Sequence, residues 1–367
     1  MDIPGIPQGD FRAPQIIAEV GTGHQGDLEK ARALIEAAAQ AGVEVVKFQH
    51  VLAREILHPR TGEVSLPGGP TSLYEVFEDL ERPIDFYRTL QKMCRANGVQ
   101  FLCTPFGIES AADLINLGQS WFKIASPELN HHELLRFLSR PDFRLLLSTG
   151  VSTLADIDET LRLVAEGGAE VALLHCVTAY PAPEEDYNLR VLVHLQGIFG
   201  VPVGVSDHSQ DPLLVPALAG IFDAPWVEKH FTLSHADGGL DDLIALEPSN
   251  LSTLVRKLRS WNGMKKSRVL EEIVHIYGET KVLGVLGTGA KALASSEKDN
   301  YGRTNRSIHA LIDLYPGTIL SPENVAVLRT EKILKPGIHP RYLSMMYGKT
   351  ITRRVVAGNG IDFLDII

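Results

Sequence analysis

Eight short apolar stretches in this chain each end in polar side chains suited to chemistry, and that repetition constrains the fold more than any other feature. The endings read Glu19; Lys47 and Gln49; Thr104; Lys123 with Ser126 and Glu128; Ser148; His175; Ser206, Asp207 and His208; and Glu228, Lys229 and His230. The stretches fall at roughly 15–20, 45–49, 101–106, 121–126, 144–149, 171–177, 202–207 and 226–231, and are rich in β-branched and aromatic residues. Such runs suit parallel strands covered on both faces. Helical segments separate them. Residues 27–41 open on an acidic residue, carry apolar positions at helical spacing and stop at Gly42. Similar segments lie near 83–97, 109–117, 153–166, 189–198, 211–220 and 249–260. Strand then helix, eight times over, predicts an α/β fold, a (β/α)8 TIM barrel; an open doubly wound sheet is the alternative. A closed barrel gathers its reacting residues at the C-terminal ends of the strands, so the sequence predicts an enzyme and the place of its site.

The chain has 367 residues, which suits one barrel plus an appendage. The barrel is expected over 1–285 and a polar linker over 286–304. Short strand-like runs with Pro-Gly and Gly-Asn-Gly turns predict a small β-rich domain over 305–367. Residues 57–74 are too long and too rich in Gly and Pro for a routine connection, and are expected to form a long loop at the mouth and a candidate lid. With 35 basic and 45 acidic residues the formal charge is −10. That argues against a nucleic-acid surface, but not against a small anion held in a local basic pocket. Three cysteines (Cys94, Cys103, Cys176) without close pairing predict neither a disulfide framework nor a cysteine zinc site. No signal peptide or membrane-length apolar run is read, so a cytoplasmic protein without membrane contact is expected.

His208 and His230 end consecutive strands and are therefore neighbours at the mouth. Two imidazoles near carboxylates can bind Mn²⁺ or Zn²⁺; one structural or acid–base histidine is the competing reading. Lys47, Lys123 and Lys229 sit within apolar strands, where a lysine needs a partner. Three of them predict an anion site, to which Thr104, Ser126, Ser148, Thr149 and Ser206 could add hydroxyl donors. Glu19 and Glu128 are candidate general acids or bases. No nucleophile elbow, Walker loop or dinucleotide fingerprint is present.

Taken together, IIAEVGTGHQGDLEKARALIEAAAQAGVEVVKFQ (16–49), FLCTPF (101–106), FKIASPELNHHELL (122–135), LLLSTGVST (145–153), LLHCVTAYPAPEEDYNLR (173–190), VGVSDHS (203–209) and VEKHFTLSHADGGLDD (227–242) resemble the sialic acid synthase family. Members condense phosphoenolpyruvate with an N-acylated aldose such as N-acetylmannosamine. The C-terminal part resembles their small antifreeze-like (SAF) domain. The resemblance implies His208 and His230 as ligands of a divalent metal, Mn²⁺ foremost with Mg²⁺ or Co²⁺ as alternatives. It implies Lys47, Thr104, Lys123, Ser126, Ser148 and Ser206 as phosphoenolpyruvate contacts. Glu19, Glu128, Tyr180 and Asp241 match positions on the acceptor or near the metal-bound water. It also implies a domain-swapped homodimer in which Arg329, with Lys335 as competitor, reaches the partner's site. Departures at Thr22-Gly23, Thr178-Ala179, Asp242, Asn305 and the TEKILK insertion fall on the acceptor side. The expected reaction is therefore the family's, with the acceptor sugar open.

Overall fold

The computed structural model describes residues 3, 5–66 and 69–367. It begins β1 (Gln15–Gly21), α1 (Leu28–Ala41), β2 (Val45–His50), the short α2 (Ala53–Ile56), a hairpin of β3 (Glu63–Leu66) and β4 (Gly69–Ser72), then α3 (Leu73–Glu78) and α4 (Ile84–Ala96). The chain continues through β5 (Gln100–Pro105), α5 (Ile108–Asn116), β6 (Trp121–Ile124), α6 (His132–Leu138), β7 (Arg144–Ser148), α7 (Leu154–Gly167) and β8 (Glu170–Cys176). The barrel region ends with α8 (Val191–Phe199), β9 (Val203–Asp207), α9 (Leu214–Ile221), β10 (Trp226–His230), α10 (Pro248–Ser260), α11 (Lys266–Tyr277) and α12 (Glu279–Leu286). Eight parallel strands close in the order β1-β2-β5-β6-β7-β8-β9-β10, with β10 pairing back onto β1. The open sheet is thereby excluded.

Local chemistry explains the alternation. In α1 the Asp27 side chain accepts from the backbone N–H of Glu29 and Lys30, and Gly42 ends the helix at φ 91°, in the left-handed region. Its buried face, Ala31, Leu34, Ile35 and Ala38, packs on the outward side chains of the strands, among them Ala18, Val46 and Phe48. Inside the barrel, a separate cluster of Ile17, Val45, Leu102, Leu146 and Leu174 fills the floor, with Trp121 and Trp226 against it. The seven-residue α6 was not anticipated: its apolar stretch is short, and it is started by His131, whose ring accepts from the Leu134 N–H.

The region 57–74 is not a plain loop. It contains the β3–β4 hairpin, and α3 follows to bring Phe77 to the barrel mouth. Residues 67 and 68 of the expected lid lie outside the described residues. The C-terminal domain pairs β11 (Arg306–Ala310) antiparallel to β12 (Val325–Arg329) and has its own core, including Ile308, Leu314, Val327, Ile351 and Ile361. A four-residue α13 (Leu343–Met346) completes the elements. Among the described residues no helix is long and apolar enough to cross a membrane.

Candidate active site

Strand side chains alternate between the inside and the outside of the barrel, so each floor residue has an inward neighbour two positions later. That step turns the apolar floor into a polar pocket: Ile17 leads to Glu19, Val45 to Lys47 and Gln49, Leu102 to Thr104, Trp121 to Lys123, Leu146 to Ser148 and Leu174 to Cys176. Ser206, Glu228 and His230 complete the wall, and a cavity of about 240 Å³ opens above them. The outward residues go elsewhere. Lys229 pairs with Asp207 at 2.7 Å and donates to the Ser209 and Asp211 carbonyls, and His175 bonds the Tyr187 carbonyl at 2.7 Å. Lys229 is thus removed from the expected anion site, by strand parity.

The two remaining lysines are buried and linked by carboxylates. Lys47 lies 2.8 Å from Glu19 and 3.7 Å from Glu228, and donates to Thr104 at 3.3 Å. Lys123 lies 3.6 Å from Glu228, which also accepts from the Ser206 hydroxyl at 3.0 Å. Gln49 donates to the other oxygen of Glu19 at 2.7 Å. Burial alone would lower Lys47, but Glu19 and Glu228 outweigh it and the ammonium is held above its usual value. At Lys123 burial wins over Glu228 and the value falls. Burial pushes Glu228 up, yet Lys123 and Lys47 together hold it below the ordinary carboxylate range. The buried Ser148 hydroxyl has no hydrogen-bond partner, while Ser126 accepts from the Gly150 N–H. A buried, unpaired hydroxyl facing two lysines suits an anionic ligand.

His208 and His230 lie with ring centroids 5.3 Å apart, and Tyr180, half exposed, stacks on His208 at 4.3 Å. Asp241 lies 3.7 Å from His230 Nδ1. His208 Nδ1 is 2.8 Å from the Val177 carbonyl, so that nitrogen carries a proton and Nε2 offers its lone pair. Burial lowers His230, which keeps its ring neutral near pH 7. Burial disfavours charge on His208 too, but Cys176 and the Val177 carbonyl outweigh it and raise it to about 9. A cation would compete with that proton. The donor set therefore fits a divalent ion held by His208 and His230 beside Asp241.

Two of the expected residues sit apart from the strand-end set. Glu128 does not line the cavity: it is fully buried, and its Oε1 accepts from Arg306 (3.1 and 3.0 Å) and from Arg329 (2.9 and 2.7 Å). Through Oε1 it holds Arg329, which does line the cavity, while its Oε2 is buried without a hydrogen-bond partner. Arg329 also closes over the barrel of its own chain. The connection lies along the mouth, pinned by Glu297, whose carboxylate accepts from the Val151 and Thr178 N–H groups at 2.9 and 2.8 Å. Lys335 lies away from the cavity, its backbone bonded to Asn359 and Gly360. The remaining expected residues, Glu19, Lys47, Thr104, Lys123, Ser126, Ser148, Tyr180, Ser206, His208, His230 and Asp241, all face one cavity. Sequence reasoning missed Glu228 and Cys176 as pocket residues. The parity they share with His230 and Leu174 was the available signal.

The similarity to known proteins extends over nearly the whole chain. The spore coat polysaccharide biosynthesis protein SpsE of Bacillus subtilis is 34% identical over 96% of this chain and 93% of its own length. Its crystal structure superposes with a TM-score of 0.81 at 32% identity, covering 100% of this chain and 99% of that one. The N,N'-diacetyllegionaminic acid synthase of Legionella pneumophila is 31% identical over 97% of this chain and 96% of its own. A sialic acid synthetase from Leptospira borgpetersenii, crystallised with citrate, is 27% identical with a TM-score of 0.61, over 82% and 94% of the two chains. The SAF domain model matches residues 305–367. The NeuB family model matches residues 34–269, and the chain belongs to that family.

Proposed function

We propose that this enzyme condenses phosphoenolpyruvate with an N-acylated aldose of the N-acetylmannosamine type, releasing a nonulosonic acid and inorganic phosphate. The observation that carries the reading is the cavity floor: Lys47, Lys123 and the unpaired Ser148 hydroxyl stand beside the His208–His230 pair. The nearby lining sets Lys47, Lys123 and Arg329 against Glu19, Glu228 and Asp241. Once a metal replaces the His208 proton, three side-chain cations against three carboxylates leave little positive charge for a phosphate ester that also bears a carboxylate. A divalent ion, Mn²⁺ in this proposal, supplies the missing charge and, when bound, polarises the acceptor aldehyde as a Lewis acid.

The chain's own residues do the rest. Lys47, Lys123, Thr104, Ser126, Ser148 and Ser206 hold the phosphate and carboxylate of phosphoenolpyruvate, with its C3 facing the acceptor. C3 forms the new bond to the aldehyde carbon, and the aldehyde oxygen takes a proton. Water then adds at C2, and collapse of that centre breaks the C–O bond to phosphate. Glu19, which is in the cavity wall, is the carboxylate placed for proton transfer. Tyr180, Asp241 and Arg329 form the rim that meets the sugar and its N-acyl group. Exchange of SAF domains between two copies would keep the same contacts between chains, so a homodimer is part of the proposal and is read by light scattering.

The test is phosphate release from phosphoenolpyruvate with Mn²⁺ and a panel of acceptors: di-N-acetylated bacterial hexoses, N-acetylmannosamine, its 6-phosphate and plain aldoses. The legionaminic acid synthase relatives are 31% identical and the human N-acetylneuraminate-9-phosphate synthase 26%, which puts the di-N-acetylated acceptors first. Release that depends on one acceptor, with a 2-keto-3-deoxy acid as product, is expected. Binding of phosphoenolpyruvate without release from any acceptor would overturn the proposal.

A further inference from the structure

On the outer side of the barrel, away from the cavity, three potential metal ligands from three elements converge. His132 begins α6, Glu159 lies in α7, and His339 precedes a short 3-10 turn (Pro340–Tyr342) of the SAF domain. One ligand atom from each falls within 4.8 Å of the others. His132 is only 3% exposed, its Nε2 is 3.4 Å from Glu159 Oε1, and its ring meets that of His339 edge-on at 5.3 Å. We infer that His132, Glu159 and His339 form a second divalent-metal site that fastens the SAF domain to the barrel.

The ligand chemistry selects the ion. Two imidazoles and one carboxylate suit Zn²⁺, Co²⁺ or Ni²⁺ rather than the all-oxygen preference of Mg²⁺ or Ca²⁺. Bonds of about 2.0–2.1 Å in a tetrahedral site set ligand atoms about 3.3 Å apart. The His132–Glu159 pair already has that spacing, so closure requires His339 to move inward by up to about 1.5 Å. The neighbouring cavity leaves room for water as a fourth ligand. Burial, His339 and nearby arginines lower His132 to about 4, and burial with Arg341 lowers His339 to about 4, so both rings are neutral at pH 7.

In this structure Arg341 is a cation bonded to the cluster. Its guanidinium pairs with Glu159 Oε2, and its Nε and backbone N–H both point at His339 Nδ1 from 3.1 Å. Ligation through Nδ1 displaces these donors directly. Ligation through Nε2 moves the ring proton to Nδ1 and displaces them as well. Arg341 is 41% exposed and can swing into solvent. Arg341 and the metal are therefore alternative occupants, and the arginine sets the metal's affinity.

The test is Zn²⁺ titration of the metal-stripped full-length protein by calorimetry, with Co²⁺ absorption as a second readout. His208→Ala/His230→Ala should keep one equivalent and the visible bands of four-coordinate Co²⁺. His339→Asn should lose that equivalent, and asparagine still caps the turn, so folding is spared. Arg341→Ala should tighten this site at least tenfold. His132→Ala, checked by circular dichroism, should match His339→Asn. Unchanged stoichiometry and Co²⁺ bands in folded His339→Asn would overturn the site; weaker binding in Arg341→Ala would overturn the competition.

Discussion

Replacing Arg306 with methionine tests how the SAF domain is held over the barrel. The guanidinium is fully buried, and four backbone carbonyls and a carboxylate satisfy it: Phe106 at 2.8 Å, Val327 at 3.3 Å, Ile56 at 3.5 Å, Glu55, and Glu128 at 3.0 Å. Burial pulls Arg306 down only to about 10, so it is charged at neutral pH. Methionine keeps most of the volume but leaves barrel carbonyls without donors and Glu128 with Arg329 alone. Breaking one side of a buried pair costs roughly 3–5 kcal/mol, and that loss should fall on domain docking. Arg329→Met should cost less, roughly 1.5–3 kcal/mol, because Arg306 still satisfies Glu128. In the double variant Arg306→Met/Glu128→Gln the losses should be less than additive, with a coupling of roughly 2 kcal/mol. Trp121, Trp226 and Trp261, all three tryptophans, lie in the barrel. Their fluorescence in urea follows the barrel, while limited proteolysis between 286 and 304 reads release of the SAF domain. An Arg306→Met protein as protease-resistant as the parent, or strictly additive losses, would refute the clasp.

Three further outcomes follow from the same geometry. Lys123→Ala should raise KM for phosphoenolpyruvate far more than KM for the sugar, in steady-state phosphate release; an equal effect on both would remove Lys123 from the anion floor. Lys229→Met should destabilise the fold by roughly 3–5 kcal/mol in urea, because it strands the buried Asp207, while leaving KM for phosphoenolpyruvate within about twofold in the folded fraction. Burial lowers His24 to about 4, His175 to about 3 and His309 to about 4, from 6.5. The unfolded chain therefore binds more protons below 6.5, and stability is full above that pH and falls as pH drops. At pH 5 the loss is roughly 1–2 kcal/mol for each histidine. Urea midpoints at pH 7.5 and 5.0 check the sign, and a midpoint unchanged at pH 5.0 would contradict it.

The barrel was legible because its two signals are local. Apolar runs separated by capped helices mark the strands, and polar residues at their ends mark the mouth. Parity within a strand end was equally available and carries much of the site: it sends Glu228 and His230 inward and Lys229 outward, although all three read as strand-end polar residues. What the sequence did not reveal is contact between distant segments. Glu128 sits one residue past Pro127, a cavity residue, and nothing near it in sequence shows that Arg306 and Arg329, about 180 and 200 positions away, both donate to its Oε1. Glu297, in a segment that reads as a polar linker, is almost fully buried because it satisfies backbone N–H groups at the ends of β7 and β8. A carboxylate in such a segment carries no local mark of burial. Its partners are main-chain groups, which every residue but proline provides, so composition cannot announce them. The SAF domain's hold on the mouth therefore had to be seen in the fold, and the same contacts make it the part of the site most open to test by substitution.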